Sequence, residues 1–235
     1  MMNKELMIER KIMNNKEKNN ISISDYFSNA MLVFLALGLD VIVAISINEL
    51  IPLDIWYKKI ITNSITIIIW VIAIILAYRY IHRSNLKNII TLNLNKKVIM
   101  RFMIVFILLI AINIIIKSRN SPQFISEFTK LKYKYKEYGV YIYIVQNIYY
   151  LLEAMLITLI IVFGQRWGEL KFNITRIPYG SIVLCLSWGL VHILTQDIST
   201  GIFAIISSLI VGIGFLICEK NLILTYILAI CIFLI

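Results

Sequence analysis

Long apolar runs dominate this chain and leave it few ways to fold. They fall at roughly Ala30–Leu50, Ile60–Ile81, Val98–Ile116, Val140–Phe163, Tyr179–Thr195, Ile202–Cys218 and Leu222–Ile235, near the length of about 17–25 residues that a helix needs to cross hydrocarbon. With 60% hydrophobic and only 15% charged residues and a mean hydropathy of +0.85, the expected solvent is lipid. Hydrocarbon offers no water to backbone N–H and C=O groups, so each run must be helical; the dyad alternation of a membrane barrel is absent from the sequence. The expected fold class is therefore all-α, a polytopic transmembrane helix bundle with about seven spans. Tyr179–Thr195 and Leu222–Ile235 are the shortest runs, and the last is short enough to be tilted or half-inserted.

Charge organises the rest. Residues 1–24 form a polar arm carrying Lys4, Glu5, Glu9, Arg10, Lys11, Lys16, Glu17 and Lys18, without the apolar core of a signal peptide, and the arm is expected on the cytoplasmic side. That choice gathers the Arg79–Arg101 and Arg166–Arg176 clusters on the same side, as the positive-inside rule asks. The basic loop over 117–136, with Arg119, Lys130, Lys132 and Lys134, then faces outward against the rule. Tyr133, Tyr135, Tyr138, Tyr141 and Tyr143 follow it closely and read as an interfacial collar. The net charge of +10 sits in loops, where anionic lipid accounts for it; membrane lipid is the expected partner and nucleic acid is not.

Four polar groups fall at membrane depth: Asp40, Asn113, Glu153 and His192. Glu153 constrains function most, because an ionisable group near a helix centre costs roughly 2.5–3.5 kcal/mol and usually faces a bundle interior, a partner or a water-filled cavity. His192 could act as base, acid or metal ligand beside it. Consecutive antiparallel spans place the two on the order of two helical turns apart in depth at about 1.5 Å per residue, a gap that a tilt or a broken helix end would narrow. Asp40 and Asn113 read as helix-contact or water-pocket groups. Cys185, Cys218 and Cys231 lie within spans without C-x-x-C spacing and read as packing residues, with no disulfide expected. Phosphate loops, H-E-x-x-H and G-x-S-x-G are absent from the sequence.

From Tyr149 to Ile235 the chain resembles the CAAX protease and bacteriocin-processing (CPBP) family of intramembrane endopeptidases. Glu153-Ala154-Met155-Leu156-Ile157-Thr158 is similar to the family's E-E-x-x-x-R, with Ala154 in place of the second Glu and Thr158 in place of the Arg. Trp188-Gly189-Leu190-Val191-His192 is similar to F-x-x-x-H. The family's H-x-x-x-N should follow, but Ile230-Cys231-Ile232-Phe233-Leu234 stands there. Charge and hydropathy divide the chain into the arm (1–24) and N-terminal transmembrane helices with the basic loop (25–139), and the resemblance implies that the remainder (140–235) is a CPBP-like core. It also implies Glu153 as water activator and His192 as its catalytic partner.

One missing oxyanion donor costs about 10²–10³ in rate, so this pattern points to an eroded site. The expectation is a weak peptidase or a peptide-binding relative. Two other classes stay open: a noncatalytic immunity or partner-stabilising membrane protein, and a small proton-coupled transporter using Asp40, Glu153 and His192. A membrane peptide or protein is the expected partner beside lipid. No cofactor is expected, and a divalent metal held by Glu153 and His192 stays open.

Overall fold

A computed structural model describes residues 21–50, 55–84, 86, 90–92, 94–117 and 122–234. Most of the polar arm and residues 118–121 of the basic loop lie outside these. The described residues are helical, without a strand; a single bridge joins Thr91 to Asn221. In chain order the helices are α1 (Ile23–Leu50), α2 (Ile55–Arg83), α3 (Lys96–Lys117), α4 (Gln123–Tyr135), α5 (Gly139–Phe172), α6 (Tyr179–Leu184), α7 (Leu190–Thr195), α8 (Ile198–Ile217) and α9 (Leu222–Leu234).

Among the described residues five segments are long and apolar enough to cross a membrane: α1, most of α2 and of α3, the run holding α5, and α8. The other two apolar runs form shorter helices. Over Tyr179–Thr195 the rod is interrupted by a π turn at Cys185–Gly189, and α9 has 13 residues, about 20 Å at 1.5 Å per residue against roughly 30 Å of hydrocarbon. The basic loop also differs from expectation, because Gln123–Tyr135 is helical. It half-buries one side through Phe128, Leu131 and Tyr135 and exposes Lys130, Lys132 and Lys134.

Burial follows the lipid-solvent logic. Leu32, Leu35 and Ile42 of α1, Ile72 of α2, and Ile104 and Ile107 of α3 are exposed, a distribution that water would punish and acyl chains favour. The interior belongs to α5, which packs against α1, α2, α4, α6 and α9 and fully buries Leu156, Ile157, Ile160 and Phe163. A second centre is α8, in contact with α3, α6, α7 and α9. Small residues set the spacing at these crossings, as they do where helices associate without a hydrophobic driving force. A Cβ on Gly180 would press on the Ile161 carbonyl, and one on Gly212 would fall on the Ser181 side chain.

The ends are tied by polar groups. Asn173, in the left-handed region at φ 55°, stops α5, a position where Asn is tolerated. Glu169 of α5 pairs with Lys220 at 2.8 Å, and Arg101 of α3 pairs with Glu219 at 3.1 Å. Both hold the α8–α9 turn, where Glu219 and Lys220 are themselves left-handed. Gln165 adds bonds to Glu169, the Ile177 carbonyl and the Gly180 N–H.

Candidate functional site

The site is built on one face of α5. Gln146, Tyr149, Tyr150 and Glu153 recur at helical spacing in the first half of the helix, so they project to one side. Each meets a partner from a different element. Asn63 Nδ2 of α2 donates to Gln146 Oε1 at 3.0 Å, and Tyr149 OH donates to Asp40 Oδ2 of α1 at 2.8 Å. Tyr150 OH donates to Glu127 Oε1 of α4 at 2.7 Å. Deepest of the four, Glu153 Oε1 accepts from Trp188 Nε1 at 3.1 Å; both residues are buried, with 6% and 2% exposure.

Trp188 stands on the π turn, a wide helical turn of the kind often found at functional sites. Its carbonyl lies 2.8 Å from His192 Nδ1. A carbonyl only accepts, so Nδ1 carries the proton and Nε2 is left as the acceptor of the neutral ring. The two rings lie 4.4 Å apart. Glu153 and His192 are thus linked through Trp188, which spans the separation expected from helix rise.

These groups line one cavity of about 1010 Å³, whose walls include Asp40, Glu127, Glu153, Trp188 and His192. Asn48, Thr195 and Asp197, all exposed, lie toward its mouth, with Lys59 near them, at the end of the bundle where α1 finishes and α5 begins. Below Glu153, α5 continues with buried apolar side chains, so the cavity ends there. The terminal helix contributes Ile232 and Phe233. Phe233 stacks on Tyr150 at 5.2 Å and meets Trp188 edge-on at 6.2 Å.

No family model matches this chain, and no curated protein or solved structure matches it either.

Of the four polar groups singled out by depth, three share the cavity and Asn113 does not. Asn113 is buried, donates back to the Leu109 carbonyl at 3.3 Å and leaves Oδ1 without a partner. Among the described residues no group of three His, Cys, Asp or Glu side chains is placed to hold a metal ion. Cys185, Cys218 and Cys231 are free thiols. In the tyrosine collar, Tyr133, Tyr138 and Tyr141 are exposed, and Tyr138 stacks on Trp56 at 4.0 Å.

Sequence reasoning missed the Trp188 indole as the donor that orients Glu153. It also missed Glu127, which lay in the segment read as a loop. A signal existed for the first: where the family pattern has Phe, this chain has the one bulky aromatic that brings an N–H. The α5 stripe of Gln, Tyr, Tyr and Glu at i, i+3, i+4 and i+7 was also legible.

Proposed function

We propose that this chain is a seven-span membrane protein on a CPBP-like scaffold, whose polar cavity binds a membrane peptide without hydrolysing it efficiently. The supporting observation is the composition of one wall against another. Glu153, Trp188 and His192 form a connected polar wall, while α9 supplies the apolar Ile232 and Phe233 beside it. Water activation by Glu153 alone contributes at most the general-base share, on the order of 10²–10⁴-fold. Peptide cleavage needs the developing oxyanion stabilised as well, and the indole N–H that could serve is occupied by Glu153. Tyr179–Thr195 and Leu222–Leu234 complete the seven spans, and a cytoplasmic amino terminus turns the cavity mouth outward. A transporter would need a second opening, and the apolar closure below Glu153 disfavours it.

The test is quantitative mass spectrometry of membrane and secreted peptides from cells carrying wild type, Glu153→Gln, His192→Ala or no protein, at equal expression. The binding reading expects the same set of cleaved termini in all protein-bearing cells, with membrane peptides retained by wild type and depleted in the null. Termini present in wild type and lost in both variants and the null would establish proteolysis instead.

A further inference from the structure

We propose that the cavity takes an alkylammonium group, a primary amine that keeps its proton at neutral pH. This deepens the peptide-binding reading and rests on it for the claim that the cavity is a binding site. The chain carries a net +10, yet the cavity is acidic. Asp40, Glu127 and Glu153 line it, Asp197 stands at its mouth, and Lys59 is the one Lys or Arg among its described lining residues.

None of these carboxylates has an ion pair among the described residues. The ion pairs there, Arg101–Glu219 and Lys220–Glu169, hold the α8–α9 turn instead. Asp40, Glu127 and Glu153 each accept from a neutral donor, Tyr149, Tyr150 and Trp188 respectively. Such donors orient an acid without neutralising it, and Lys59, whose charge acts on Glu127 and Asp40 across the cavity, forms an ion pair with neither among the described residues; carboxylates left without an ion pair at membrane depth are costly.

A second observation is independent of the acids. Thr66 is 1% exposed and lines the cavity, and its hydroxyl has no hydrogen-bond partner. Thr158, Thr195 and Thr225 instead bond back to the carbonyl four residues earlier, each at 2.8 Å. That back-bond is the usual way a helical hydroxyl is satisfied. Thr66 forgoes it, leaving a polar atom for an occupant.

The rings select an organic cation over a bare ion. Tyr149 and Tyr150 lie 5.9 Å apart, and Phe233 joins Tyr150 to Trp188. Aromatic faces beside carboxylates suit both the alkyl stem and the charge of an ammonium group. The volume, about 1010 Å³, accommodates a side chain with its neighbours.

The experiment uses the full chain in lipid nanodiscs and follows tryptophan fluorescence on adding three probes. These are a terminally blocked lysine pentapeptide, its Nε-acetyl counterpart and n-butylamine. The expected result is binding of the lysine peptide, acetylation weakening it by at least about tenfold, equivalent to about 1.4 kcal/mol, and competition by n-butylamine. Asp40→Asn, which keeps an acceptor for Tyr149, and Thr66→Val should each weaken the lysine peptide and leave the acetylated one unchanged. Equal affinity for both peptides overturns the ammonium assignment and leaves peptide binding standing. Binding of n-butylamine with neither peptide supports the ammonium assignment and overturns the peptide reading. Binding of no probe overturns both.

Discussion

Trp188 ties the candidate site together, because one residue serves two neighbours. Its indole N–H holds Glu153, and its carbonyl fixes which nitrogen of His192 carries the proton. Trp188→Phe keeps the ring and removes the donor, leaving a buried carboxylate oxygen unpaired; the expected cost is about 1–3 kcal/mol in thermal unfolding. Combining it with Glu153→Leu should recover most of that loss, since replacing both partners by apolar groups is nearly neutral. Additive losses in the double variant would mean that the two side chains do not depend on each other. Glu153 and His192 were legible in the sequence because a charge or imidazole in an apolar run is conspicuous. Asp40 was legible as a polar group at depth, either a helix contact or a pocket group, and its bond to Tyr149 was not, because 109 positions of chain separate the two. Asn113 was equally conspicuous and faces elsewhere, so conspicuousness alone does not identify a site residue.

Two elements frame the cavity mouth. Helix α4 brings Glu127 to Tyr150, and it turns onto α5 through Gly139. A Cβ there would lie 2.5 Å from the Leu131 carbonyl oxygen and 2.7 Å from the Lys132 Cα. Gly139→Ala should therefore push α4 off α5 at a cost of about 1–3 kcal/mol, read by thermal unfolding and by faster hydrogen exchange in α4. Gly38→Ala is the control, since nothing lies within 4 Å of its Cβ position. At the start of α8, Asp197 caps the helix by accepting from the Thr200 N–H at 2.9 Å and its hydroxyl at 2.6 Å. The Thr200 hydroxyl, then its N–H, holds the Asp197 carboxyl below its ordinary value of 3.8. A depressed value stabilises the fold above the ordinary one and is lost as pH falls through the depressed one. Hydrogen exchange at Ser199–Thr200 should thus be unchanged from neutral pH down to the ordinary carboxylate range and, after correction for intrinsic rates, rise below it. Asp197→Asn should flatten that rise.

At the scale of the whole molecule, charge is segregated. An acidic cavity opens at one end of the bundle, and the ion-paired turn with Lys220 and Arg101 lies at the α8–α9 end. With a cytoplasmic amino terminus, a membrane-impermeant maleimide added outside intact cells should label Ser199→Cys above the background of the unsubstituted chain. It should reach Asn173→Cys only after permeabilisation. The reverse pattern would invert the orientation. The sequence by itself determined that the chain lives in lipid and folds as helices, because hydropathy and backbone satisfaction act within each segment and need no partner. It also marked the charges that would be costly in lipid. Tertiary structure alone decided that Tyr179–Thr195 breaks at a π turn and that Gln123–Tyr135 packs as a helix on α5. It alone brought Asp40, Glu127, Glu153 and Trp188 to one cavity. The physical reason is rotation: an apolar run tells how deep a side chain lies, but the direction it faces depends on which small residues let which helices touch.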